Sequence, residues 1–202
     1  MSFVPTSQYM DHIFESEQSF CQLYPLSIQQ LDKLHWSPLK VVYKSVQFLV
    51  NKHGAKILDI GSGAGKFCLA GAYYKPSAFF YGVEQRQYLT GHAECAKEKL
   101  GRVKVEFMHR NFTQLNLKEY DGFYFYNSFF ESIPGTDKID DTIAYSPELY
   151  HYYSRYLFNQ LDEMPAGTRV VTYCSWDDEI PPGYLLVETD IDRLLKFWEK
   201  QP

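Results

Sequence analysis

The sequence predicts an α/β fold, a three-layer sandwich around a mainly parallel sheet with an antiparallel hairpin at its carboxyl end. Three observations predict it. Short apolar strands alternate with helices of amphipathic spacing, the pattern of βαβ crossovers. A glycine-rich turn, Gly61 to Gly65, joins the first strand directly to a helix. The strand Gly122 to Tyr126 (GFYFY) is aromatic throughout, which suits a strand covered on both faces.

Taken in order, residues 1 to 35 form a helical flank or lid, in which Ser27 is expected to cap a short helix whose Ile28, Leu31 and Leu34 share one face. After Ser37-Pro38 a helix carries Val41, Val42, Val46, Phe48, Leu49 and Val50 and is expected to stop at Gly54. Lys56 to Ile60 reads as a buried strand, and Phe67 to Tyr74 as an apolar helix ending before Pro76. Ala78 to Val83 makes the second strand, Tyr88 to Leu100 a helix terminated by Gly101, and Val103 to Met108 a third strand. The fourth is Gly122 to Tyr126. Ser146 caps the next helix with Pro147 at its first position, where a missing N–H costs nothing, and Leu149, Tyr153, Tyr156, Leu157 and Leu161 form its apolar face. Arg169 to Tyr173 is the fifth strand. Leu185 to Val187 and Leu194 to Trp198 are expected to close the sheet as a hairpin, although the spacing of the last run also fits a helix.

The chain of 202 residues fits one domain, 1–202, with the flank at 1–35 and the core at 36–202. Composition is that of a globular protein, 45% hydrophobic and 22% charged, so neither disorder nor a membrane span is expected. Seventeen Tyr and fifteen Phe supply large packing surfaces, mostly for the core. A net charge of -5 and a pI near 5.7 repel polyanions, which makes nucleic acid an unfavourable partner. Cys21, Cys68, Cys95 and Cys174 lack metal-ligand spacing, so no metal site is expected, and a reducing compartment fits best. With no basic and apolar leader and no membrane-length apolar run, the expected location is the cytoplasm.

The chemistry begins at KILDIGSGAGKF. A strand ends in Asp59 and passes straight into Gly61, Ser62, Gly63 and Gly65 before a helix. Glycines there let the backbone bend sharply and approach a ligand, while N–H groups at the helix start face polar groups. The register excludes two other loops: a dinucleotide fingerprint needs its third glycine where Lys66 stands, and a phosphate-binding P-loop needs Gly-Lys-Ser/Thr at a spacing not met here. The remaining pattern, an acid followed by G-x-G-x-G, resembles the first motif of class I methyltransferases. That resemblance implies a Rossmann-like fold, S-adenosyl-L-methionine as cofactor, and Asp59 near the methionine portion.

Further along, the second strand ends in Gly82-Val83-Glu84, placing a carboxylate where a ribose diol lies in folds of this kind. In class I methyltransferases the loop after the third strand closes on adenine, which implies that Asn111 accepts from the adenine amino group and that Phe112 stacks on the ring; core packing is the other role open to Phe112. The fourth strand ends in Tyr126-Asn127-Ser128-Phe129-Phe130, an amide among rings where the transferred methyl should emerge. A carbonyl at Asn127 that accepts an acceptor N–H fixes the direction of a nitrogen lone pair, and Tyr126, Phe129 and Phe130 would exclude water and favour the positive charge that nitrogen acquires. Asn127 could instead simply cap a turn.

DIGSGAGKF, FYGVEQR, NF at Asn111-Phe112 and YNSFF together resemble the disruptor-of-telomeric-silencing family, the non-SET histone lysine methyltransferases, over roughly residues 56 to 130. The resemblance implies that Lys66 and Gln85 also approach the cofactor. The sequence departs from that family in lacking its substrate-lobe motif and basic tail. The expected function is therefore methyl transfer to a nitrogen of a protein lysine or another amine, the acceptor being a protein or a small molecule. Two alternatives stay open: O- or C-methylation of a small metabolite, for which His92, His109 or His151 would supply a base, and a non-catalytic cofactor-binding scaffold.

Overall fold

The computed structural model describes residues 7–101 and 103–202, and of these the side chains of Ser7, Gln8 and Leu34 lie outside the described part. The expected flank thus begins, for its structure, at α1 (Ser7–Phe14) and continues through α2 (Glu17–Cys21), α3 (Leu26–Gln29) and α4 (Asp32–His35). Ser27 does not cap α3. Pro25 precedes the helix in extended conformation, so the chain is already helical at Leu26, and Ser27 lies inside. The expected single helix is broken into α3 and α4, with Gln30 and Leu31 in the turn between them; Ile28 is buried and Leu31 half-buried, and the expected place of Leu34 beside them lies outside the described side chains.

Next comes α5 (Leu39–Leu49), which presents Val41, Val42, Val46 and Leu49 to the core. It stops five residues before Gly54, because Val50 already leaves helical geometry. Gly54 instead takes a positive φ of 74° and donates its N–H to the Ser77 carbonyl at 2.9 Å, turning the chain into the sheet. From there β1 (Lys56–Ile60), α6 (Lys66–Tyr74), β2 (Phe79–Glu84), α7 (Gln87–Leu100) and β3 (Val105–His109) alternate, within two residues of expectation. β4 (Gly122–Tyr126), α8 (Pro147–Asp162) and β5 (Arg169–Tyr173) follow. The Ser146 hydroxyl accepts from the Leu149 N–H at 3.2 Å, so the cap forms as the sequence implied.

Strand order is β3-β2-β1-β4-β5-β7-β6, where β6 (Tyr184–Asp190) and β7 (Leu195–Lys200) complete the seven. Neighbours from β3 through β5 are parallel, and β7 runs antiparallel to both β5 and β6. The helical alternative for the last run is thereby removed: Leu195–Lys200 pairs on both sides, with Leu195 and Phe197 in one core and Trp198 in the other.

Helices α5, α6 and α7 cover one face of the sheet, and α8 with short 3₁₀ turns covers the other. Alternation within β1 shows the layering, since Ile57 joins the first core and Leu58 and Ile60 the second. On β4, Phe123 and Phe125 enter the second core, while Tyr124 stacks on Phe67 at 3.8 Å and shares a 2.5 Å hydrogen bond with the Ser37 hydroxyl. The strand order reverses between β1 and β4, where open α/β sheets form their ligand crevice at the carboxyl ends of the strands.

Candidate active site at the carboxyl ends of the strands

A cleft of about 260 Å³ opens at this reversal, walled by Gly61 and Gly63 after β1, Glu84 and Arg86 after β2, Asn127 and Phe130 after β4, Cys174 after β5, and His35 and Trp36 from the flank. The turn after β1 is shaped by two glycines with different tasks. Gly61 holds φ +76°, and a Cβ there would sit 2.9 Å from the Ser128 Cβ, so only glycine lets the β1 and β4 loops close together. Gly63 lines the cleft with open space where a Cβ would be. Gly65 faces elsewhere: it starts α6 and packs under Phe107 and Ala93. The Gly61 and Ser62 N–H groups both donate to the Val83 carbonyl, which anchors the turn onto the end of β2.

Glu84 is only 6% exposed. Its carboxylate accepts from the Gly63 N–H at 3.1 Å and the Arg86 N–H at 2.9 Å. Burial raises its pKa, opposed by those two donors and the Arg86 charge. Asp59 lies behind the turn rather than among the cleft-lining residues, 4% exposed, with the Cys68 thiol donating to it at 3.8 Å. Burial first, then the charge of Glu84, pushes its pKa well above the usual range.

Asn127 combines the two roles the sequence left open. Its backbone has φ +47° and its carbonyl accepts from the Phe130 N–H at 3.0 Å, which is a turn, yet the residue also lines the cleft. Among the described residues its side-chain amide has no hydrogen-bond partner, so the amide is available to a ligand. Tyr126 and Phe130 line the same cleft, and burial pushes the Tyr126 phenol up to about 12.

An adjoining pocket of about 40 Å³ brings together Gln85, Phe112 and Phe129 with Val83 and the segment Ile143 to Tyr145. Phe112 is buried and stacks on Phe129 at 5.2 Å, with Tyr153 and Tyr156 edge-on, so it packs as well as lines. Asn111 caps the 3₁₀ turn Phe112–Gln114: its carbonyl accepts from the Thr113 N–H and hydroxyl, and its amide donates to Gln85 and Tyr153. Both ends of Asn111 are thus engaged within the protein.

Lys66 is not in the cleft. Its ammonium, 3% exposed, points toward the flank, bonding Glu17 at 2.5 Å and Asp32 at 2.9 Å between the rings of Phe20 and Trp36. Nor are the three histidines that the sequence suggested as bases: His92 packs on Tyr88, His151 on Tyr150, and His109 donates to the Gln85 carbonyl. His35 does line the cleft, with a pKa lowered by burial. Sequence reasoning missed His35, Trp36, Arg86, Glu131, Asp137 and Cys174. Only Arg86 carried a signal, two residues after the acid that ends β2; the others come from distant segments brought together by folding.

The family model for protein-L-isoaspartate(D-aspartate) O-methyltransferase (PCMT) matches residues 1–130, which span the glycine turn, Glu84 and Asn127. The chain belongs to this family. The family is one of methyltransferases whose methyl donor is S-adenosyl-L-methionine. Two tRNA (guanine-N(7)-)-methyltransferases, from Synechococcus sp. strains JA-3-3Ab and JA-2-3B'a(2-13), are 44% and 43% identical over 54 residues, 27% of this chain. The chain spans 23% of the length of those relatives. Among solved structures, the RNA methyltransferase from Salinibacter ruber in complex with S-adenosyl-L-homocysteine superposes with TM-score 0.55 at 18% identity, covering 82% of this chain and 94% of that one. TrmN from Thermus thermophilus gives 0.57 at 18%, covering 82% and 49%. A SAM-dependent O-methyltransferase from Thermotoga maritima gives 0.55 at 17%, covering 88% and 72%. These likenesses establish the fold of the methyltransferase. The cleft residues fit the family's cofactor: backbone without a Cβ at Gly63 permits close approach, and the Glu84 carboxylate can accept from hydroxyls.

Proposed function

We propose that this methyltransferase methylates the nitrogen of an amine, a protein lysine or another primary amine, at the Asn127 end of the cleft. The observation that carries the reading is the Asn127 amide, held by a left-handed turn at the end of β4, lining the cleft and without a partner among the described residues. When bound, S-adenosylmethionine supplies a methyl carbon made electrophilic by its sulfonium. Asn127 Oδ1 accepts an N–H of the acceptor and so holds its lone pair in one direction. Tyr126, Phe130 and Trp36 exclude water and stabilise a cationic nitrogen, and Asp137 on the same wall favours a cation over an anion. Gly63 and Glu84 would hold the ribose end, and Phe112 and Phe129 would border the adenine end. The likeness of DIGSGAGKF and YNSFF to the non-SET histone lysine methyltransferases supports the same acceptor class.

The family's name describes a carboxylate acceptor, which would need a free cation, and the cleft's guanidinium at Arg86 is already held by Glu84, Glu131 and Asp140. A guanine nitrogen of RNA is a second reading, favoured by the 54-residue similarity to tRNA methyltransferases and opposed by the net charge of -5. Transfer of labelled methyl to lysine peptides, isoaspartyl peptides and bulk tRNA separates the three; label in tRNA or isoaspartyl peptide alone would refute the amine reading. Asn127→Ala is expected to lower turnover about 100-fold or more while cofactor affinity stays within a few fold. Equal loss of both would reassign Asn127 to the cofactor.

A further inference from the structure

Arg86 carries more charge partners than any other described cation, and no step above uses it. Its guanidinium is buried. Nη2 donates to Glu131 Oε2 at 2.6 Å and to the Tyr145 hydroxyl at 2.5 Å, Nε to Asp140 Oδ1 at 3.3 Å, and Nη1 to Glu84 Oε1 at 3.5 Å. One side chain therefore joins the acid at the end of β2 to three points of the segment 131–145. That segment is tied to itself by the same groups: the Tyr145 hydroxyl also contacts Glu131 at 3.0 Å and the Asp140 carbonyl at 2.7 Å, and Glu131 accepts from the Ile139 N–H at 2.9 Å. Asp140 further accepts from the Tyr88 hydroxyl on α7 at 2.6 Å. Among the described residues these are the segment's only ion pairs to the rest of the chain, beside the packing of Ile139 on the core and the Tyr88 hydroxyl on Asp140.

The segment covers both halves of the site. Ile143, Ala144 and Tyr145 form one wall of the adjoining pocket, opposite Val83, Phe112 and Phe129, while Glu131, Asp137 and Ile139 wall the main cleft beside Asn127. At about 40 Å³ the adjoining pocket has room for a few water molecules and not for a purine ring. A purine entering there needs the pocket to widen; residues 143–145 are one of its walls, and the Arg86 link to Glu131, Asp140 and Tyr145 ties that wall down at Tyr145.

We infer that Arg86 is a positioning residue that couples cofactor exchange to the order of the acceptor wall, by latching the segment 131–145 to the ribose-binding acid. The inference rests on the reading of Glu84 and Phe112 as the ribose and adenine walls. The ribose hydroxyls take over the Glu84 oxygen that Arg86 reaches only at 3.5 Å, and the guanidinium keeps its closer partners on the segment, which closes again over the bound cofactor. Loosening the latch then speeds both arrival and departure of cofactor, and disorders the wall that orients the acceptor.

Stopped-flow fluorescence with S-adenosyl-L-homocysteine tests this, with cleft-lining Trp36 as an intrinsic reporter. Tyr145→Phe removes one hydroxyl and leaves all three carboxylates paired, so it retains the fold; its dissociation rate is expected to rise 3- to 10-fold with an association rate no lower than wild type. Arg86→Gln is expected to exceed it, with a rise in acceptor KM larger than the fall in kcat. A purely structural role would lower thermal stability and leave these rates unchanged. Wild-type rates within twofold in a folded Tyr145→Phe protein overturn the latch. No binding of the homocysteine product by wild type overturns the cofactor-site reading, and the latch with it.

Discussion

Replacing Lys66 with Met separates two accounts of a residue that the sequence pattern brings to the cofactor and the structure turns away from it. The Lys66 ammonium is 3% exposed, while its partners Glu17 and Asp32 have side chains 42% and 29% exposed. A pair exposed on both sides contributes about 0–1 kcal/mol, and breaking a pair buried on both sides costs about 3–5 kcal/mol. Here the carboxylates left behind can rehydrate, and Met keeps an unbranched apolar side chain of similar length beside Phe20 and Trp36. A cost of about 2 kcal/mol follows, which for a chain of this length lowers the midpoint of thermal unfolding by about 4–8 °C. Circular dichroism melts and calorimetric titration with S-adenosylmethionine measure the two quantities on the same preparation. The expected result is a lower midpoint with a dissociation constant within threefold of wild type. An unchanged midpoint with tenfold weaker binding would refute the structural role and return Lys66 to the cofactor.

Two further predictions concern the buried carboxylates. The folded-state pKa of Asp59 is raised, so the folded chain binds a proton more tightly than the unfolded one, and stability is lost as pH rises from the ordinary carboxylate pKa through the raised value. Asp59→Asn should therefore be more stable than wild type by a margin that grows from pH 5 to pH 8 in urea titrations; a constant or shrinking margin contradicts the assignment. On the proposed ribose role of Glu84, Glu84→Gln would replace two charge-assisted hydrogen bonds with weaker neutral ones, about 1 kcal/mol each, and should weaken cofactor binding about thirtyfold by calorimetry. Binding within threefold would remove Glu84 from the ribose site.

Much of the fold was legible because strand and helix periods are local. The run GFYFY suits a strand covered on both faces, and it lies at the centre of the sheet between β1 and β5. Gly101 and Ser146 ended and began helices where their backbone chemistry required. Element ends such as Val50 were less legible, since α5 stops according to where the chain must turn into β1. The last run was ambiguous because its apolar spacing fits both periods, and pairing with β5 and β6 decided it.

In the site the division is sharper. Gly61, Gly63, Glu84 and Asn127 could be read from the sequence because each stands at the carboxyl end of a strand, and a parallel sheet carries all such ends to one edge. Asn111, Lys66 and Phe112 show what that reasoning does not reach: each lies in the motif region, but its hydrogen bonds or packing partners come from Tyr153, from Glu17 and Asp32, and from Phe129 and Tyr156. The sequence by itself determined the sheet, the turn that bends without side chains, and the residues at the strand ends, since backbone sterics and periodicity act over a few neighbours. Only the tertiary structure decided which way each of those side chains points and that Arg86, His35 and Glu131 share one cleft, because burial and charge pairing depend on segments that meet only when the chain has folded.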